Sequence, residues 1–597
     1  FNISGACYAG LGQFDAAVRD YEKAIAIKPD YSKAHFNLGS TLQELGQLDA
    51  SVKSFEKALD IEPNYAEAHN NLGIALKELR QLDAAVKSFK KAIAIKPDYV
   101  EAHYSLGTSF QELGQLDEAV KSYEAVLVIK PDFAEIHNNL GVILNKLNQK
   151  DAALKSLERS VAIKPDFAEA HNNLGNVLKE LDQHDAALKN YEKAIAIKPD
   201  YAEAYFNLGG MLRELGQLDE AVKCYEKVTA IKPDYAEAHT NLGISLKDLG
   251  QLNAAVKSFK KVLAIKPESA GAHSNLGMSL HKLEQLDAAV KCYEKALTIN
   301  PDFAEAHNNL GNVLKDLGQM DAAVKCYEKT ITIRPDYADA YNNLGITYMD
   351  MGQQDKAIKF YKKALVINPD FADAHNTLGI AHMNLGQLDA AINCYKKALV
   401  IKPDHADAHN NLGMTLQTLG QLDEALISYG RANILKPDIE YMLGTLLNIK
   451  MLLCIWDDLP NNLIELKNKI NNNEKVITPF SMLGLIDDPE LQRKVAEIQT
   501  IDKFPQNHDL TRIGQYPKHK KIRIGYFSAD FRNHPVADLT VELYELHDRS
   551  QFEIYGFSYG PDTKDEMNLR IKAGVDHFHD VRTMSHKEVV MLSRSVE

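Results

Sequence analysis

The chain has 597 residues, 45% of them hydrophobic and 25% charged, with 82 acidic against 68 basic side chains and a formal net charge of -14. That balance disfavours nucleic acid and anionic membrane as partners, since both require a dense basic surface to displace counterions or reach headgroups. No run approaches about eighteen consecutive apolar residues, which excludes a spanning helix, and six cysteines with no Cys-x-x-Cys pair disfavour a disulfide scaffold and a cysteine-rich metal site. A reducing, cytoplasmic compartment fits that cysteine usage. Residue 1 is Phe and falls inside a unit already under way, so any targeting segment upstream is out of view.

Prolines recur from Pro29 through Pro63, Pro97 and Pro131 to Pro437, thirteen of them, each 34 residues from the last. A strict period of this length is the signature of a solenoid, in which each unit is one supersecondary element packed mainly on its neighbours. The unit reads as two helices. In residues 98–131, Asp98 with Glu101 three positions later suggests an N-cap, and Ala102, Leu106 and Phe110 follow at helical spacing. Gly114 ends that helix. Its equivalents are Gly in nine of the thirteen units, with Arg80, Asn148, Asp182 and Glu284 as exceptions, the pattern of a left-handed C-terminal residue that favours glycine. A second helix, from about Asp117 to Ile129, stops before Pro131. Gly73, Ala85 and Ala92 sit where helices approach closely, and Leu72, Leu76 and Phe89 fill the space between them. These positions, with His69 and Pro97, resemble the tetratricopeptide repeat over residues 1–438, about 13 units.

The resemblance implies a right-handed superhelix whose first helices line a concave groove, so a position repeated once per unit becomes a row along it. One such row is Asn37, Asn71, Asn139, Asn173, Asn207, Asn241, Asn275, Asn309, Asn343 and Asn411, broken by Ser105 and Thr377. A primary amide offers both donor and acceptor, so the row is a candidate ladder for the backbone of an extended peptide whatever its side chains. The alternative is that Asn is common at this place in such repeats and only supports the helix surface. The preceding residue is never Lys, which removes the carboxylate clamp expected of a chaperone adaptor. A further row, from His35 and His69 to His375 and His409, lacks a second ligand at i+4 and reads as packing, not metal binding. Cys224, Cys292, Cys326 and Cys394 share one frame position and read as small core fillers.

After Pro437 the frame is lost. Residues 439–520 read as a helical adaptor, with a helix from Tyr441 to Leu453, another opened by Asp488 and Pro489, and the only tryptophan, Trp456, as a core anchor. From residue 521 the texture alternates: strand Ile522 to Ser528, helix Val536 to His547, strand Phe552 to Tyr559, helix Asp565 to Ala573, strand Val575 to Val581, and a helix from Ser585. This predicts a parallel sheet with crossover helices, in which ligands bind beyond the carboxyl ends of the strands. The loop after the first strand, SADFRNHP, places Asp530, Asn533 and His534 at that mouth, and Pro535 opens the next helix. Glu597 falls inside this alternation, leaving strands without the neighbours that complete a sheet.

The strings IRIGYFSADFRNHP, HDRSQFEIYGFSYGPD and HFHDVR behind a long repeat array resemble the protein O-linked N-acetylglucosamine transferases and their Spindly-type fucosyl relatives. That resemblance makes residues 521–597 the N-terminal part of a glycosyltransferase catalytic domain. It implies a sugar-nucleotide donor, Ser or Thr acceptors on proteins held in the groove, two nucleotide-fold lobes, and neither metal nor other cofactor, in keeping with the absence of an Asp-x-Asp string. His534 matches the active-site histidine of the family's Asp-Phe-x-x-His-Pro loop, while Asp538 stands where members often carry a second histidine. The expected activity is transfer of N-acetylglucosamine from a UDP-sugar to protein hydroxyls, with the 597-residue chain itself inactive. A fucosyl donor and a non-enzymatic peptide-binding scaffold remain open alternatives.

Overall fold

The structure, a computed structural model, describes residues 1–503 and 519–596. It divides into two compact units, residues 1–403 and 404–597. The first consists of paired helices that begin with α1 (Asn2–Gly10) and α2 (Phe14–Ile27) and end with α23 (Ala372–Asn384) and α24 (Leu388–Ile401). The second opens with one more pair, α25 (Ala406–Thr418) and α26 (Leu422–Leu435).

The unit of α7 (Val100–Glu112) and α8 (Leu116–Ile129) shows why the period folds as it does. Gly114 has φ +73°. Its N–H donates to the Gln111 carbonyl at 3.1 Å, and that of Gln115 donates to Phe110 at 2.9 Å. These two bonds satisfy carbonyls that a helix end otherwise leaves open. Arg80, Asn148, Asp182 and Glu284 adopt the same left-handed conformation, with φ between 57° and 61°, so the turn is kept where glycine is not.

The other end of the helix departs from expectation. Asp98 does not cap it. The N-cap residue is Tyr99, with no side-chain cap bond, because Lys96–Pro97–Asp98–Tyr99 forms a turn closed by the Tyr99 N–H on the Lys96 carbonyl at 3.1 Å. Proline at the second turn position presets that geometry and spends Asp98 inside the turn. Glu101 still lies in the first helical turn, where a carboxylate is favoured by the helix dipole.

Packing inside twelve of the thirteen pairs from α1/α2 to α25/α26 rests on contact between a glycine and an aromatic ring, with Leu157 in the ring's place against Gly141 in the remaining pair. Phe89 and Tyr123 are fully buried, and a Cβ built at Gly73 would lie 2.6 Å from the Phe89 ring. The glycine is thus the seat of the ring, and burial of such a ring is worth about 1.5–3 kcal/mol. Leu72, Leu76, Ala85 and Ala92 are buried around it. Successive first helices are tied by side chains, as in Lys77–Glu112 at 3.1 Å and Lys179–Glu214 at 2.8 Å.

In the second unit, α27 (Met442–Leu452), α28 (Leu459–Asn471), α29 (Pro479–Leu483) and α30 (Pro489–Lys503) enclose a separate core that includes Leu447, Leu466, Ile470, Ile477 and Met482. Asp488 caps α30 through bonds from the N–H groups of Glu490 and Leu491 at 3.1 and 3.2 Å. Trp456 is not a core anchor: it is 53% exposed. It lies in a chain reversal between Cys454 and Asp458, both at positive φ, which carries the indole off the core. Part of the predicted adaptor, residues 504–518, lies outside the described residues.

The α/β segment runs β1 (Ile522–Ser528), α31 (Pro535–Leu546), β2 (Phe552–Ser558), α32 (Glu566–Gly574), β3 (His577–Asp580) and α33 (His586–Ser595). The sheet order is β1-β2-β3, parallel throughout, with Ile522 opposite Phe552 and Tyr555 opposite His577. Ile554, buried on one face, packs with Val541, Tyr544 and Ile571 of the crossover helices. Tyr555 and Phe557, on the other face, pack against α33.

Candidate functional site

Two sets of residues were singled out by chemistry, the asparagine row and the loop after β1. All ten row asparagines are half-buried. Five of their amides are already engaged sideways: Nδ2 of Asn173 donates to Oδ1 of Asn138 at 2.9 Å, that of Asn207 to Asn172 at 3.0 Å, and that of Asn343 to Asn308 at 3.1 Å. Asn37 donates to Asn2 at 3.1 Å and Asn71 to the Ser40 hydroxyl at 3.4 Å. Where the row breaks, the Thr377 hydroxyl takes the same place, donating to Asn342 at 2.9 Å. The acceptors form a second row, in which Asn138, Asn172, Asn308 and Asn342 are buried. In these five row asparagines the amide spends one donor on its neighbour, which fixes its plane and leaves a second N–H for a ligand. The buried row was seen in the sequence only as the absence of lysine. Its signal was the repeated Asn-Asn pair.

The histidine row behaves as packing chemistry requires. In nine of its residues, among them His35, His69 and His375, Nε2 donates to the carbonyl of the proline six residues earlier at 2.9–3.2 Å. Burial pushes the His69 and His375 imidazoles below the ordinary range, which keeps them neutral. The cysteines are likewise inert: burial raises Cys224 and Cys326 to about 11, away from the thiolate form.

At the carboxyl end of β1, Asp530, Asn533, His534 and Pro535 come together in one loop. Pro535 is the first residue of α31 and His534 its N-cap, with Nδ1 accepting from the Val536 N–H at 3.2 Å. Asp530 approaches the same nitrogen at 3.6 Å and Arg532 at 3.6 Å. An Nδ1 that accepts a backbone N–H carries no proton in the neutral ring, so the hydrogen sits on Nε2. The arrangement therefore leaves Nε2–H as the ring's donor, a group suited to an oxygen of a phosphate or sugar.

Asn533 points elsewhere. Its N–H donates to Asp565 Oδ2 at 3.0 Å, and its Oδ1 accepts from the Met567 N–H at 3.4 Å. It is a strut between the loop and the N-terminus of α32. Asn568, 1% exposed, completes the strut by donating to the Phe531 carbonyl at 2.5 Å. The Thr563 hydroxyl and then the N–H groups of Asn533 and Asn568 hold the Asp565 carboxyl below its usual range. Neither Asp565 nor Asn568 was read as a site residue, although Asp-x-x-Asn at a predicted helix start announces a cap. Gly560, in the loop after β2, lies against the backbone of Ala529, with no room for a Cβ.

Comparison with known proteins accords with both halves. Models of the tetratricopeptide repeat match successive segments from residues 5–46 to 406–439, among them 166–234, 200–268 and 302–368. The Glycosyl transferase family 41 model matches residues 491–589. A probable UDP-N-acetylglucosamine–peptide N-acetylglucosaminyltransferase of Arabidopsis thaliana is 29% identical over 165 residues, 25% of this chain and 17% of that protein. The match thus spans about a sixth of that relative's length. Among solved structures, MamA is 34% identical over 28% of this chain and 97% of its own, with a TM-score of 0.26. A chain of the APC/C hetero-tetramer Cut9-Hcn1 is 15% identical over 74% of this chain and 95% of its own, with a TM-score of 0.37. The chain thus belongs to the tetratricopeptide repeat proteins, and behind its array it carries a segment similar to Glycosyl transferase family 41.

Proposed function

We propose that the chain belongs to a protein O-glycosyltransferase that moves N-acetylglucosamine from a UDP-sugar to Ser or Thr hydroxyls of polypeptides guided along the asparagine row. The observation that carries this reading is the juxtaposition, within the family 41 match, of the His534 loop with the mouth of a parallel sheet. Transfer requires the acceptor hydroxyl in line behind the anomeric carbon and stabilisation of charge on the departing diphosphate. His534, with its hydrogen on Nε2, serves the second need better than the first. It donates to donor oxygens, and the hydroxyl proton passes, directly or through water, to the departing diphosphate as the anomeric C–O bond breaks. No metal and no other cofactor enters this scheme. The reading expects the 597-residue chain by itself to be inactive.

The direct test is to incubate the full-length product with labelled UDP-N-acetylglucosamine or a labelled fucosyl nucleotide and a mixture of unstructured protein acceptors. Label from the first donor on Ser or Thr supports the reading, and label from the second alone moves it to the fucosyl branch. If neither labels protein, while the chain still binds extended peptides, the scaffold alternative stands in its place.

A further inference from the structure

A buried tyrosine hydroxyl needs a hydrogen-bond partner. Tyr191 and Tyr327 find theirs beside the asparagine row: each Oη donates at 2.8 Å to the side-chain oxygen of an Asn fifteen residues earlier, Asn176 and Asn312. In α13 (Ala202–Glu214) the equivalent position is Gly210. Tyr225, on α14 (Leu218–Ile231), is fully buried, and its Oη has no hydrogen-bond partner. The Asn241 amide lies beside that oxygen without closing a bond. A Cβ built at Gly210 would meet only the Tyr225 Oη, at 3.6 Å. Burial pushes this hydroxyl up to about 12, so it keeps its proton and remains a donor. Gly210 is thus a notch with an unspent donor at its floor.

Arg213 stands three residues further along the same half-buried face as Asn207 and Gly210. The charge pattern leaves it over. Along the first helices a base at this position meets an acid 35 residues later, as in Lys77–Glu112 and Lys179–Glu214. For Arg213 that acid is Asp248. Lys247, however, faces a like charge at its own place 35 residues on, Lys282, and turns back onto Asp248 at 3.3 Å. Among the described residues Arg213 has no ion pair, and its guanidinium lies near enough to Tyr225 to oppose the rise that burial gives the hydroxyl. Helix α13 is packed between α11 (Ala168–Glu180) and α15 (Ala236–Asp248), so this face belongs to the interior of the array and not to either end.

A planar guanidinium beside a hydroxyl donor suits an anion with paired oxygens. Glu214 also bears on the Tyr225 hydroxyl, which favours a singly charged carboxylate over a phosphate dianion. We propose that Arg213 and the Tyr225 hydroxyl, converging at the Gly210 notch, form a selective step that takes an Asp or Glu side chain of a polypeptide lying along the asparagine row. This step rests on the reading that polypeptides are guided along that row.

The test titrates the 597-residue chain into labelled Ser/Gly peptides of about twelve residues, which span about 40 Å when extended. Each carries one central Glu, Gln or phosphoserine, and binding is followed by fluorescence anisotropy. The Glu peptide is expected to bind about ten-fold tighter than the Gln peptide. Arg213→Gln brings the Glu peptide down to the Gln level. Gly210→Asn supplies the amide that Tyr191 and Tyr327 already have, fills the notch and cuts the Glu preference about five-fold or more. Tyr225→Phe keeps the ring and cuts the preference about three-fold, with circular dichroism confirming that each variant is folded. Equal binding of the Glu and Gln peptides, a preference that survives Arg213→Gln, or tighter binding of the phosphoserine peptide overturns the proposal and leaves guidance along the row standing. Absence of saturable binding by every peptide overturns both.

Discussion

A methyl group at Gly560 would overlap the carbonyl oxygen of Ala529, so two loops at the strand ends are held backbone to backbone. Gly560→Ala is expected to destabilise the α/β segment by more than about 2 kcal/mol, read as a lower urea midpoint of β-segment protection in hydrogen exchange. At His534 the cap and the chemistry can be separated. His534→Ala removes the acceptor for Val536 and costs about 1 kcal/mol, whereas His534→Asn keeps a capping oxygen. Equal loss of transfer by both variants in the full-length enzyme, with stability lost only in the first, would mark Nε2–H as the functional group. Sequence placed His534 at the helix start because Pro535 follows it. It could not place Gly560, whose partner lies in a loop 31 residues earlier and becomes a neighbour only when β1 and β2 pair.

Among elements, helix ends were legible wherever the period allowed units to be overlaid. One frame position is left-handed in every unit from Gly12 to Gly420, and non-glycine residues there bear a cost of roughly 1 kcal/mol. Glu284→Gly is therefore expected to stabilise the array by about 0.5–1 kcal/mol, measured by chemical denaturation. Helix starts were misread because Asp98 suits both a cap and a turn, and only the proline before it decides between them. The asparagine rows were half legible: their spacing was plain, their mutual bonds were not. Asn173→Ala removes the donor to buried Asn138 and should cost about 1–2 kcal/mol. In the adaptor, Lys475 foremost, then Lys503 and Tyr441, hold the Asp502 carboxyl at about 2. A carboxylate depressed in the folded state lends stability above its unfolded value near 4 and withdraws it as pH falls through 2. Lys475→Met should accordingly flatten the loss of stability between pH 4 and about 2, followed by urea midpoints across that range.

For the whole molecule, the proposed guide surface makes a claim about selectivity. Replacing Asn309, Asn343 and Asn411 together by Ala is expected to weaken unrelated protein acceptors alike, because the amides would bond backbone. Loss of a single acceptor, with others untouched, would place recognition in side chains instead. The fold class was readable throughout: periodicity gave the helix pairs, and alternation gave the parallel sheet. Which apolar residues of α31 are covered was not, because Ala537, Val541 and Tyr544, which are buried, interleave in the sequence with the exposed Leu539, Leu543 and Leu546 and only the packed structure separates the two sets.

The bond from Asn173 to Asn138 recurs one unit later as that from Asn207 to Asn172, each across 35 positions. Excising residues 173–206 would bring Asn207 opposite Asn138 and recreate the joint just removed. Gene recombination between neighbouring repeats can therefore shorten or lengthen this protein by whole units without inventing an interface. Copy number is free to drift during evolution, whereas any excision out of step with the period tears the seam.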